Sequence, residues 1–149
     1  MDSIDKSIIK LLENNGRMSH EEISKSLHIS RPAIHQRVNK LENENIIKGY
    51  KSIVNWQKLG EPIRAFLYIK IHSFNFKETV NMILSLKVLN VSIEECHRLA
   101  GEWCLVLKIR VITPTDISNF IDELCKVQGI KETSTTFVLS TIMENGQME

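Results

Sequence analysis

The most constraining feature of this chain is a change in the spacing of its apolar residues at Gly60-Glu61-Pro62. Ahead of that string, apolar side chains recur three and four residues apart, the repeat of a helix with one buried face. Behind it they alternate, the repeat of a strand with one buried face. A length of 149 residues allows one domain or two small ones. The change of period favours two, with the Gly-Glu-Pro string as the natural boundary between residues 1–60 and 61–149.

The first unit reads as three short helices. Ile4, Ile8, Leu11 and Leu12 give Ser3 to Asn14 one apolar face, and Asn15-Gly16 ends the helix, glycine accepting a left-handed backbone. Ser19 and Glu22 form a capping box ahead of a second helix carrying Ile23 and Leu27, and His28-Ile29 makes a turn. Ser30 is placed to cap a third helix, in whose first turn Pro32 is tolerated because no N–H is needed there. Ile34, Val38 and Leu41 form its buried stripe, and Asn43 to Asn45 close it. Ile46–Val54, with Gly49, is strand-like and reads as a small wing or linking strand. Two turn-linked helices after a first one are the helix-turn-helix pattern.

In the second unit, Ile63, Ala65, Leu67, Ile69 and Ile71 mark a strand. Phe76, Val80, Ile83 and Leu84 lie on one face of a helix over Asn75–Leu86. Val91–Arg98 is a strand, Leu99–Gly101 a turn and Trp103–Val111 another strand. Thr113 to Asp116 is a second capping box, opening a helix with Ile117, Phe120, Ile121 and Leu124, and Ile130–Ile142 is a last strand. The order βαββαβ is the ferredoxin-like arrangement, so the whole chain is an α+β protein: a winged helix-turn-helix followed by a ferredoxin-like unit. Such a sheet has helices on one face only. Phe66, Tyr68, Val106 and Val138 make the other face partly apolar, and a second copy of the chain is expected to cover it.

Net charge is +1, yet residues 1–60 carry ten lysines and arginines against seven acids, and residues 61–149 nine against eleven. The third helix sets basic and amide side chains opposite its buried stripe. Gln and Asn can bond adenine at two points and Arg guanine, with a recognition helix lying in the major groove. Arg31, His35 and Gln36 are therefore expected near bases, and Ser30, Arg37 and Lys40 at phosphates. Arg17, Ser19, Pro32 and Asn39 complete the candidate contact set on double-stranded DNA. A solvated polar face is the bland alternative.

Cys96, Cys104 and Cys125 show no CxxC spacing and read as reduced thiols. Cys96 and His97 point to opposite sides of a strand, so no metal site is expected. No cofactor is implied. The longest uncharged apolar run, Ala65–Ile69, is far too short for a membrane span, and Met1 to Asp5 lacks a secretory pattern, so a cytoplasmic location is expected.

The strings Asp2-Ser3-Ile4-Asp5, Arg17-Met18-Ser19, Leu27-His28-Ile29-Ser30, Leu41-Glu42, Ile46-Ile47-Lys48-Gly49-Tyr50 and Leu99-Ala100-Gly101 carry a resemblance. With Thr133–Val138 they make the chain look like the leucine-responsive/asparagine-synthesis regulator (Lrp/AsnC) family over nearly its whole length. The resemblance implies transcriptional regulation without enzymatic activity, dimers built on the C-terminal unit, frequent octamers, and often an amino-acid effector. It directs attention to Gly101, Glu102, Trp103, Cys104, Thr135, Thr136 and Val138 as the effector region. The family's turn reads Gly-x-x-Asp, whereas Cys104 stands here in place of the aspartate, and Glu102 is the nearby carboxylate that could substitute. Trp103 and the threonines also have a plain structural reading as core, edge or interface residues. Two alternatives stay open: an architectural protein that wraps DNA without an effector, and a sirohaem-decarboxylase-like enzyme using His97 and Arg98.

Overall fold

The computed structural model describes residues 1–72 and 75–148, which form two compact units, Met1–Ile53 and Val54–Glu149. The division falls seven residues ahead of the glycine-proline string. Trp56 accounts for the shift: its ring lies 3.3 Å beneath the guanidinium of Arg110, which ties residues 54–60 to the second unit.

In the first unit α1 spans Ser3–Asn14, α2 His20–Leu27 and α3 Arg31–Asn43. Ile8, Leu12, Ile23, Ile34, Val38 and Leu41 are buried together, with Ile4, Leu11, Met18, Leu27 and Ile47 packed around them. The capping box of α2 forms as expected from Ser19 and Glu22. A second, on Asp2 and Asp5, starts α1. Three local details differ from the sequence reading. First, α1 ends on Asn15 with an extended backbone, and its N–H returns to the Leu11 carbonyl; no left-handed glycine is involved. The left-handed residue that turns the chain between α2 and α3 is His28, at φ 55°. Second, Ser30 occupies the N-cap position of α3, but its hydroxyl makes no capping bond. Third, 46–54 is not a strand. An extended segment becomes one only by pairing its backbone, and no described residue pairs with it.

The second unit runs β1 (Ile63–Ile71), α4 (Phe76–Ser85), β2 (Val91–Arg98), β3 (Leu105–Val111), α5 (Pro114–Leu124) and β4 (Ile130–Phe137). The strands form one antiparallel sheet in the order β2-β3-β1-β4, the ferredoxin-like topology. Ala65, Leu67, Ile69, Leu105, Leu107 and Ile109 meet Ile83 of α4 and Ile117, Phe120 and Leu124 of α5 in a buried apolar core. The capping box of α5 is present, with Asp116 bonding both the backbone N–H and the hydroxyl of Thr113.

On α4 the buried position expected for Leu84 belongs to Thr79, whose hydroxyl donates to the carbonyls of Asn75 and Gln128, while Leu84 is exposed. β3 opens at Leu105, leaving Trp103 in the preceding loop, because the last rung of the β2–β3 ladder is Arg98 opposite Leu105. β4 stops at Phe137. Val138 still donates to the Arg64 carbonyl, but β1 gives out at Ile63, behind which Pro62 has no N–H to offer. Beyond that point Met143–Glu144 (β5) and Gln147–Met148 (β6) form a small hairpin that the sequence reading missed.

The face of the sheet away from the helices is less apolar than expected. Phe66, Tyr68 and Val106 are half-buried there, but cations share the surface. Arg110 meets Glu61 and Glu94 at 2.8 and 2.7 Å, Arg64 meets Glu144 at 2.7 Å, and Lys108 is bonded to the same Glu144.

Candidate nucleic-acid interface and effector region

α3 is amphipathic in the plainest sense: Ile34, Val38 and Leu41 are buried, and Arg31, Pro32, His35, Gln36, Asn39 and Lys40 are exposed. The buried stripe fixes the helix against α1 and α2. The opposite face therefore presents two cations and three polar side chains as a rigid set. Ser30, at its start, and Arg17 and Ser19, ahead of α2, are exposed as well. Lys40 lies 3.9 Å from Glu44, a loose surface pair that leaves its ammonium at the solvent.

Four of the residues singled out from sequence, Arg37, Ser19, His35 and Asn39, are engaged inside the unit. Arg37 is half-buried, and its Nη1 lies 2.8 Å from Asp2 and 2.6 Å from Asp5. This pins the start of α1 to α3, and each carboxyl is held below its ordinary range. The first cause is the reciprocal backbone N–H of the capping box, and the second is Arg37. The hydroxyl of Ser19 is taken up by Glu22, accepting from its N–H and donating to its carboxylate. His35 has a neighbour at both ring nitrogens: Nδ1 lies 3.3 Å from Nδ1 of His20, and Nε2 lies 3.1 Å from Nδ2 of Asn39. His20 was not among the residues picked out from sequence. Nothing in the spacing of residues 20 and 35 signals the contact, which exists only once α2 and α3 have packed.

In the second unit the effector candidates do not gather at one place. Glu102 bonds Lys70 at 2.9 Å, and Lys70 also bonds Glu132 of β4 at 2.9 Å. Trp103 stands beside this group, with the Lys70 ammonium 4.6 Å from its ring centre and Tyr68 tilted against it at 6.0 Å. The N–H of Cys104 donates to the Ile69 carbonyl, and its thiol is directed at the Ile71 carbonyl. Gly101, at φ 144°, supplies the left-handed conformation the turn requires. Thr135 pairs across from Leu67 and Thr136 from Phe66, so the two hydroxyls point to opposite faces. Val138 bonds at Arg64, five residues along β1 from the Cys104 contact, a distance of roughly 16 Å. His97 and Arg98 also diverge. His97 meets Glu95 at 3.0 Å, whereas Arg98 lies over the Phe76 ring on the other face of β2. They form no common site.

A turn-linked helix pair with an exposed polar helix, carried ahead of a ferredoxin-like unit, defines the two-part class of helix-turn-helix regulators. Comparison with known proteins agrees with each half. A winged helix-turn-helix DNA-binding model matches residues 1–48, and an Lrp/AsnC ligand binding domain model matches residues 66–148. The chain is 30% identical over 148 residues to the HTH-type transcriptional regulator FL11 of Pyrococcus horikoshii, covering 99% of this chain and 95% of the relative. It is similar to the solved structure of LrpC from B. subtilis, at 31% identity and a TM-score of 0.81, over 96% of this chain and 97% of that one. A transcriptional regulator from Neisseria meningitidis, solved as a complex with L-Met, shares the fold at a TM-score of 0.86 and 23% identity, over 97% of this chain and 93% of that one. The chain belongs to the Lrp/AsnC family and is a DNA-binding transcriptional regulator. Among the described residues no helix is long and apolar enough to cross a membrane.

Proposed function

We propose that α3 lies in the major groove of double-stranded DNA, with Arg31, Gln36 and Asn39 at base edges and Lys40, Ser30 and Arg17 at phosphates. The observation that carries this reading is the exposed face of α3, where cations and amides stand opposite a fully buried stripe. Arg37 and Ser19 leave the contact set, since their polar groups already hold α1 and α2 in place. Phosphate contacts give affinity without sequence preference, and amide contacts give preference. Lys40→Ala should therefore weaken binding to specific and random duplexes alike. Gln36→Ala should cost about 1–3 kcal/mol at a selected site and far less on random DNA. Equal losses on both kinds of DNA would remove Gln36 from base reading.

The protein acts, on this reading, as a homo-oligomer built on the second unit. Phe137, Leu139, Ile142 and Met143 are all exposed beyond or at the end of β4, a run of apolar surface that a second copy would cover. Dimers are the minimum, and the octamers common in the family are the next assembly.

For the effector we propose an amino acid held beside the Gly101–Cys104 turn, supported by the ligand binding domain that this unit matches and by the L-Met complex of the Neisseria relative. A second reading, regulation without an effector, is favoured by one observation: the Glu102 carboxylate is already paired with Lys70. Calorimetry with the twenty amino acids separates the two, heat with any one of them supporting the first.

A further inference from the structure

We propose that His20 and His35 are positioning residues that fix the amide of Asn39 so that it reads adenine. This rests on α3 being the base-reading helix.

Asn39 lies one turn beyond His35 on α3, and His20 is the first residue of α2. Their polar atoms form a chain: Asn39 Nδ2 to His35 Nε2 at 3.1 Å, then His35 Nδ1 to His20 Nδ1 at 3.3 Å. The two imidazole rings stand 5.2 Å apart at 51°. An amide nitrogen carries donors and no lone pair for accepting, so His35 Nε2 must accept. The proton of His35 is therefore on Nδ1, which donates to His20 Nδ1, and the proton of His20 is on Nε2. Both rings are neutral in this arrangement, and every bond has one donor and one acceptor.

The consequence falls on Asn39. One of its two N–H groups is spent on His35. Its oxygen and its second N–H remain on the exposed face of α3, and these are the acceptor and donor that adenine N6 and N7 require. Rotating the amide by half a turn would set its oxygen against the Nε2 lone pair of His35. The chain would accept that only if both imidazole protons moved, since the His35 proton would then belong on Nε2 and the His20 proton on Nδ1. His20, on a neighbouring helix with no place in the contact set, thus holds the His35 ring, and through it the Asn39 side chain, in one position. His35 is a strut between the two and not itself a reader. Pre-setting the amide also removes a rotamer to be fixed on binding.

The test is selection from a randomised duplex library by the full-length protein, with wild type, Asn39→Ala, His20→Ala and His20→Gln compared. Wild type should select a site, and Asn39→Ala should lose the adenine preference at one base pair of it by about tenfold. His20→Ala should relax the preference at that same base pair by several-fold. His20→Gln, whose amide can still accept from His35, should retain most of it. Melting temperature and affinity for random DNA should not change in the His20 variants. In the free protein, imidazole nitrogen shifts should show His35 protonated at Nδ1 and His20 at Nε2. An unchanged preference in His20→Ala, or the reverse tautomer on His35, overturns the proposal while leaving DNA reading by α3 intact. A wild type that selects no sequence overturns both.

Discussion

Replacing Ile34 by alanine should separate the two units energetically. Ile34 has no exposed surface and lies in the core shared by α1, α2 and α3, apart from the sheet core of the second unit. Truncating a buried isoleucine to alanine costs about 2–5 kcal/mol, and to valine about 0.5–1.5 kcal/mol. A unit the size of residues 1–53 has about 3–8 kcal/mol in total, at roughly 0.05–0.15 kcal/mol per residue. Alanine therefore removes most of that stability, and valine leaves most of it. Amide hydrogen exchange reads this directly, since about 1.4 kcal/mol is a tenfold change in protection. In Ile34→Ala the most protected amides of α1–α3 should exchange about thirty- to several thousand-fold faster, and in Ile34→Val about two- to tenfold faster. Protection in β1–β4 should stay at the wild-type level, and DNA binding should fall with the folded fraction of the first unit. Unchanged protection in α1–α3, or an equal loss across the sheet, would refute the reasoning.

The cluster of Asp2, Asp5 and Arg37 makes the first unit acid-sensitive. Both carboxyls have folded pKa values below the ordinary 3.8, so their stabilisation is present above that pH and is lost as pH falls through the depressed values. Melting of the first unit should drop steeply below pH 4 in wild type and less steeply in Asp5→Asn; equal slopes would contradict this. Thr113→Ala removes the N-cap hydroxyl that donates to the Asp116 carboxylate, and should destabilise the second unit by about 0.5–2 kcal/mol in denaturant melts. Tyr50 has its phenol pushed up to about 12, by burial first and then by its hydrogen bond to Glu42. In a Tyr68→Phe background, Glu42→Gln should bring phenolate absorbance in at lower pH, and no movement would remove Glu42 as a cause.

The regular elements were legible because their signals are local. Apolar spacing placed α1–α3 and β1, and the Ser19–Glu22 and Thr113–Asp116 boxes marked helix starts that the structure forms. Where strand ends were misjudged, the deciding partner was remote in sequence: β4 stops because β1 runs out at Ile63, and 46–54 has nothing to pair with among the described residues. The polar sites show the same divide. An exposed face on α3 follows from the positions of Ile34, Val38 and Leu41. That Arg37 would be held by Asp2 and Asp5, or that His35 would lie between His20 and Asn39, follows only from how the helices pack. For the same reason Thr135 and Thr136, adjacent in sequence, were grouped although a strand sends them to opposite faces.

The central claim, that α3 reads the major groove, is tested most directly by methylation interference on a selected duplex. Dimethyl sulfate adds a methyl group to guanine N7 in the major groove and to adenine N3 in the minor groove. Docking by α3 predicts that N7 methylation at guanines within the site blocks binding, with the effect at one position disappearing in Arg31→Ala. Interference confined to adenine N3, or none at any base while binding persists, would place the protein outside the major groove and contradict the role assigned to α3.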